Sequence, residues 1–181
     1  MRDSRFKHVV LAAAVVAALF PLAACSVDIR EDALDAEKKA VDIRTPVGVM
    51  SVRTGLDAAD TGLAVYPGAT PLRDDEPESA DVSIGSGRFG LKVIATKFET
   101  ADGANAVVGH YRTAMQAYGD VLECRGEIDF RGRAERPVCK PRPFSRELQL
   151  AVGSGGRHRV VSVKPRTAGA EFSVVYIQAQ S

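Results

Sequence analysis

Hydrophobic and polar residues along the chain change period several times, and each change marks an element. The clearest helix spans about Asp102 to Tyr118. Ala104, Val107, Val108, Tyr111, Met115 and Tyr118 fall at i, i+3, i+4, i+7, i+11 and i+14, which is one amphipathic stripe. Asp102 or Thr100 is placed to cap its start, and Gly119 stands where a helix-ending glycine belongs. Two-residue alternation predicts a strand over Arg88–Glu99. Phe89, Leu91, Val93 and Ala95 share one face, and Gly85-Ser86-Gly87 can close a hairpin with Val82–Ile84. A further strand, Val121–Cys124, follows the helix almost at once. Three more close the chain: Leu148–Val152, Arg159–Lys164 and Phe172–Gln178, the first two joined by a Gly153-Ser154-Gly155-Gly156 turn. Arg44–Thr54 also alternates and reads as one strand. Short connections favour antiparallel pairing. The expected fold class is therefore α+β, an antiparallel sheet with one main amphipathic helix packed on it.

Two stretches resist this reading. Residues 26–45 are highly charged with scattered aliphatics and read as a tether, with room for a short, weakly packed helix over Glu31–Val41. Pro71–Asp81 is rich in acid and proline and reads as an exposed loop. Between them Tyr66-Pro67-Gly68-Ala69 marks a turn.

The N-terminus follows a different logic. Arg2, Arg5 and Lys7 precede 12 apolar residues, Val9–Phe20. As a helix these reach only about 18 Å, short of the roughly 30 Å of bilayer hydrocarbon. The segment therefore reads as an export signal. It ends in Leu22-Ala23-Ala24-Cys25, which resembles the lipobox of bacterial lipoproteins. That resemblance implies acylation of the Cys25 thiol by a diacylglycerol, followed by cleavage just before Cys25. An ordinary signal peptide usually carries a small residue three places before its cut, where this chain has Leu22. Two acyl chains give a stable anchor. The organisation expected is thus a signal peptide over 1–24, a charged tether over 25–45 and a single α+β domain over 46–181. The protein would be exported and lipid-anchored to the cell membrane or outer membrane, with its domain in the periplasm or outside the cell. In enterobacteria aspartate after the cysteine favours the inner membrane; Ser26 here leans toward the outer one.

Two weaker resemblances concern the domain. Arg44–Thr54 is similar to one rung of bacterial putative-adhesin repeats, but it occurs once and without a period. Tyr66-Pro67-Gly68-Ala69, Phe98-Glu99-Thr100, Val107-Val108-Gly109-His110-Tyr111 and Tyr118-Gly119 together resemble a set of uncharacterised bacterial envelope lipoproteins. This implies a fold and a setting and no activity.

Composition narrows the chemistry. Removing the first 24 of 181 residues leaves 157, enough to bury a core. The whole chain carries +1 and the signal region +2, so the mature chain is near −1, which gives no case for a nucleic-acid partner. Cys124 and Cys139 remain once Cys25 is acylated. In an exported protein they read as a disulfide, with free thiols or a redox or metal pair as alternatives. No Cys-x-x-Cys or nearby histidine completes a zinc set, and no metal or cofactor is expected. Arg125, Arg131, Arg133, Arg136, Lys140, Arg142 and Arg146 form a basic run. Asp120–Arg166 carries +5, against −5 for Asp28–Glu99. One reading is a cationic patch for an anionic polymer or headgroups. The other is a solvated loop whose arginines pair with the acidic half.

His110 lies beside the helix stripe and reads as structural; His158, beside arginines, reads as exposed. Asp74-Asp75-Glu76 lacks calcium-loop spacing. No Gly-x-Ser-x-Gly elbow places a nucleophilic serine, and the 153–156 turn lacks the Lys-Ser/Thr of a phosphate loop. No catalytic set emerges. The leading expectation is a non-catalytic binding or assembly module of the cell envelope, its partner an envelope protein or an anionic polymer. The alternatives are an envelope hydrolase and a structural subunit of an envelope complex.

Overall fold

A computed structural model describes residues 25–32, 35–54, 58–72, 79–86, 89–130 and 136–180. Strands are β1 (Ser26–Asp32), β2 (Asp35–Thr45), β3 (Gly48–Arg53), β4 (Thr70–Pro71), β5 (Ser79–Ser86) and β6 (Phe89–Thr100). Helix α1 (Ala104–Met115) follows. Then come β7 (Leu122–Cys124), β8 (Gly126–Asp129), β9 (Val138–Pro141), β10 (Leu148–Ser154), β11 (Arg157–Pro165) and β12 (Ala170–Gln180). Ten strands form one antiparallel sheet in the order β1-β2-β3-β5-β6-β12-β11-β10-β7, with β4 beside the end of β6. β8 and β9 pair separately. Of the described residues 60% are in strands and 14% are helical. The architecture is an antiparallel sheet with one helix, as expected, but richer in strand than α+β suggests.

The extra strand content has one main source. The segment read as a tether is instead a β-hairpin, β1 and β2, extending the sheet through β3. The helix expected over Glu31–Val41 is likewise replaced by strand, with residues 33–34 outside the description. The strand read within Arg44–Thr54 is β3, which begins after a Pro46-Val47 turn, and Arg44 and Thr45 before that turn end β2. The expected loop over Pro71–Asp81 ends early, because Ser79 and Asp81 are buried in β5. The acidic Asp74-Asp75-Glu76 lies outside the described residues.

The core forms where α1 crosses one face of the sheet. Val107, Val108, Tyr111 and Met115, the predicted stripe, are buried against Phe98, Leu150, Val161, Val163, Phe172 and Val174. Each such side chain withdrawn from water contributes about 1.5–3 kcal/mol. Tyr118 departs from the stripe. It is exposed on the following 3₁₀ turn (Gln116–Tyr118), with the Arg159 guanidinium 3.6 Å above its ring. Neither expected side-chain cap forms. The Thr100 hydroxyl accepts from the Asp102 backbone N–H (3.3 Å), and the Asp102 carboxylate accepts from Tyr66 Oη (2.7 Å). Gly119 stops the helical segment at φ 129°, a conformation that suits glycine.

The Thr61–Leu72 segment lies on the sheet beside the helix. At its centre Tyr66-Pro67-Gly68-Ala69 turns on an Ala69 N–H to Tyr66 C=O bond of 3.0 Å. The buried Tyr111 hydroxyl holds it, accepting from the Tyr66 N–H and donating to the Ala64 carbonyl, both 3.1 Å. Burial pushes the Tyr111 phenol up to about 12.

Candidate functional site

β6 and β12 are long enough to serve two neighbourhoods. Their Thr100 and Ala170 ends lie under α1, while their Phe89 and Gln180 ends run on beside β5, β3, β2 and β1. Side chains alternate faces along a strand, so pairing register decides which residues share a surface. One row across the sheet is Val27, Ile43, Met50, Ile84, Leu91 and Ala179. The row beside it is Ile29, Val41, Val52, Val82, Val93 and Ile177. All twelve are apolar, and all face away from the side that carries α1. The reverse side of β1 and β2 carries Asp28, Arg30, Asp42 and Arg44. There the Arg30 guanidinium hydrogen-bonds Asp28 (3.1 Å) and holds that carboxyl below its ordinary range.

Among the described residues no helix or second sheet packs on β1, β2, β3 or β5. The apolar rows are therefore only partly shielded, by one another. Val27 remains 60% exposed and Phe89, at the start of β6, 64%. A groove of about 520 Å³ runs along the outer end of this face, lined by residues including Ile43, Val47, Met50, Ile84, Phe89 and Leu91. Exposed apolar surface of this continuity marks a contact site more often than chance scatter does. The groove is the first candidate site. Cys25 is exposed and lies one residue before β1 begins.

Farther along the same face, the β8–β9 hairpin folds over β10 and β11. Cys124, ending β7, and Cys139, in β9, lie at disulfide distance, S–S 2.02 Å. They fasten the hairpin to the sheet edge. Phe130 then covers His158, with ring centroids 4.9 Å apart. His158 is only 3% exposed, contrary to expectation, because its side chain points under the hairpin while its neighbouring arginines point to the other face. Among the described residues its Nδ1 has no hydrogen-bond partner, and burial holds the imidazole below its ordinary pKa. His110 is half-buried, edge-on to Tyr66 and Tyr111, a packing role.

Three members of the basic run are paired within their own neighbourhood. Arg136 pairs with Asp120 (2.7 Å), Lys140 with Asp129 (2.8 Å) and Arg142 with Glu127 (2.8 Å). These acids sit in the same 120–146 segment and not in the acidic half. Arg125 and Arg146 are exposed, and Arg131 and Arg133 lie outside the described residues.

A small polar cavity of about 220 Å³ lies at the other end of the apolar face, beside Lys97, Glu147, Ser162 and Lys164. Ser162 Oγ and Gln149 Nε2 both donate to Glu147 and hold its carboxyl below the usual range. A carboxylate so stabilised is a weak base for activating that serine. Among the described residues no three His, Cys, Asp or Glu side chains gather as metal ligands, and no helix is long and apolar enough to cross a membrane.

Sequence reasoning missed the apolar face, although its signal was present. Val-Asp-Ile-Arg occurs twice, at Val27–Arg30 and Val41–Arg44. Each copy alternates apolar and charged, which is the signature of a half-exposed strand. Comparison with protein-family models, curated proteins and solved structures finds no match.

Proposed function

We propose that this chain is an envelope lipoprotein, anchored through acylated Cys25, that works by docking through the exposed apolar face of its sheet and not by bond-making chemistry. The observation that carries this reading is the six-strand apolar row from Val27 to Ala179, with Cys25 exposed two residues before Val27. The lipobox-like Leu22-Ala23-Ala24-Cys25 supports the anchor. A cysteine pair at disulfide distance suits an exported, oxidising setting. A structural subunit of an envelope complex would present the same kind of face. A serine hydrolase would need a competent base beside its nucleophile, and the stabilised Glu147 is a weak one for Ser162.

The test is intact mass on the membrane fraction of native cells, comparing wild type with Cys25→Ala, with and without reduction. The expected result is a diacylglyceryl mass on a chain beginning at Cys25, absent in the variant, and a gain of two hydrogens on reduction. A soluble, unmodified protein would overturn the anchored reading.

A further inference from the structure

Four separate parts of the chain meet at one end of the sheet. β1 starts there at Ser26, opposite Arg44. The β2–β3 turn follows with Val47, which is 80% exposed. The start of β6 brings Phe89, and the last residues of β12 lie beside it. The groove of about 520 Å³ opens between these tips. Continuing the alternation of β1 back one step places Cys25 on the side of Val27 and Ile29, the apolar side. No spacer intervenes, since strand pairing begins at the residue after Cys25.

From this geometry we infer that the groove end of the apolar face lies in the lipid interface of the membrane that carries the anchor, so that the domain rests on the bilayer. The inference builds on the lipoprotein reading. An acyl group on Cys25 sits in hydrocarbon, and a strand rises only about 3.4 Å per residue. Val27 is therefore held within about 7 Å of the anchored residue along the chain. The anchor presents this face to lipid at high effective concentration, which no freely diffusing partner shares. The chemistry matches on both sides. Apolar tips and the Phe89 ring enter the boundary between headgroups and acyl chains, as in interfacial amphipathic elements. Asp28, Arg30, Asp42 and Arg44 face water from the reverse side. The outer edge of β1 stays at headgroup level, where water satisfies its backbone groups; only closed barrels or helices could go deeper.

The chain contains no tryptophan, so one substitution supplies a unique probe. The mature lipoprotein, purified from membranes, is reconstituted in phosphatidylethanolamine–phosphatidylglycerol vesicles with or without acyl-chain bromination. F89W is compared with F144W, which replaces a fully exposed phenylalanine close before β10, toward the opposite end of the sheet. The inference expects F89W emission to shift to shorter wavelength and to lose about half its intensity to bromine, as a probe roughly 5–10 Å deep in the interface should. F144W does neither. Adding Val47→Asp to F89W reduces the quenching while circular dichroism is unchanged. Equal quenching of F89W and F144W overturns the inference. So does a shift of F89W without quenching, which means that a second copy or the protein's own acyl chains cover the face. Intact mass of the same preparation reports separately on the lipoprotein reading. Should it show no diacylglyceryl group, quenching of F89W with the vesicles still supports a membrane-facing surface, and its absence removes it.

Discussion

Tyr111→Phe isolates the hydroxyl that pins the Thr61–Leu72 segment beside the helix. The ring is fully buried and packs at 5.7 Å centroid distance on Phe172, so phenylalanine keeps the packing and opens no cavity. Two hydrogen bonds are lost. The Ala64 carbonyl belongs to an exposed residue and can turn to water, which limits its share to about 1 kcal/mol. The Tyr66 N–H lies in a buried residue and loses its acceptor; an orphaned buried donor costs about 1–3 kcal/mol. The total is about 2–4 kcal/mol. With a urea slope near 2 kcal/mol per M, the unfolding midpoint of the mature chain falls by about 1–2 M. Tyr66→Phe is the comparison, because its hydroxyl bonds the exposed Asp102 carboxylate; it should cost about 0.5–1.5 kcal/mol. Amide exchange at residue 66 should accelerate in Tyr111→Phe and not in Tyr66→Phe. If the two variants unfold at the same urea concentration, the Tyr111 hydroxyl does not hold the segment and the reasoning fails.

Replacing Cys124 and Cys139 with alanine removes a crosslink over a sequence separation of 15; the loss should be about 3 kcal/mol on a chain-entropy account, read as a urea midpoint that matches the reduced wild type. A change below about 1 kcal/mol would mean the β8–β9 hairpin is held without it. His158 adds a pH dependence with a definite sign. Its folded pKa is lowered by burial, while the unfolded imidazole titrates near 6.5. Stability is therefore full above about pH 6.5 and is lost as pH falls toward the lowered folded value, where the slope ends. His158→Phe should flatten that part of the profile; an unchanged slope would assign it to other groups. Arg159→Met removes the guanidinium over Tyr118 and its 3.0 Å bond to the Thr61 carbonyl, with an expected loss of about 1–3 kcal/mol by thermal or urea unfolding; a neutral result would make the stack incidental.

The covered half of the sheet was legible because burial there is one-sided and deep. In α1, Val107, Val108, Tyr111 and Met115 repeat at helical spacing, and no charge interrupts them. Phe172, Val174 and Tyr176 alternate just as plainly. The β1–β2 hairpin was obscured by its composition: half of its positions face water from the reverse side, and Asp28, Arg30, Asp42 and Arg44 raise its average polarity to that of a linker. Only period, not composition, separates the two. His158 was misplaced for a related reason. Arg157 and Arg159 flank it, yet in a strand adjacent residues point to opposite faces, and what covers His158 is a distant hairpin. The groove joins Ile43, Ile84 and Leu91 through two hairpins and the long connection from β3 to β5, and no local window reveals such a neighbourhood.

The position of β1 also sets how the domain would respond to force. Cys25 precedes an outermost strand whose whole ladder to β2 runs antiparallel. Tension applied through an anchor at Cys25, directed away from the sheet, loads the end pair first and then each next pair in turn, as a zip opens. β1 would peel before the strands under α1 bear any load. Under such an anchor β1 would act as a mechanical fuse, yielding first, lengthening the attachment and leaving the helix-covered core intact.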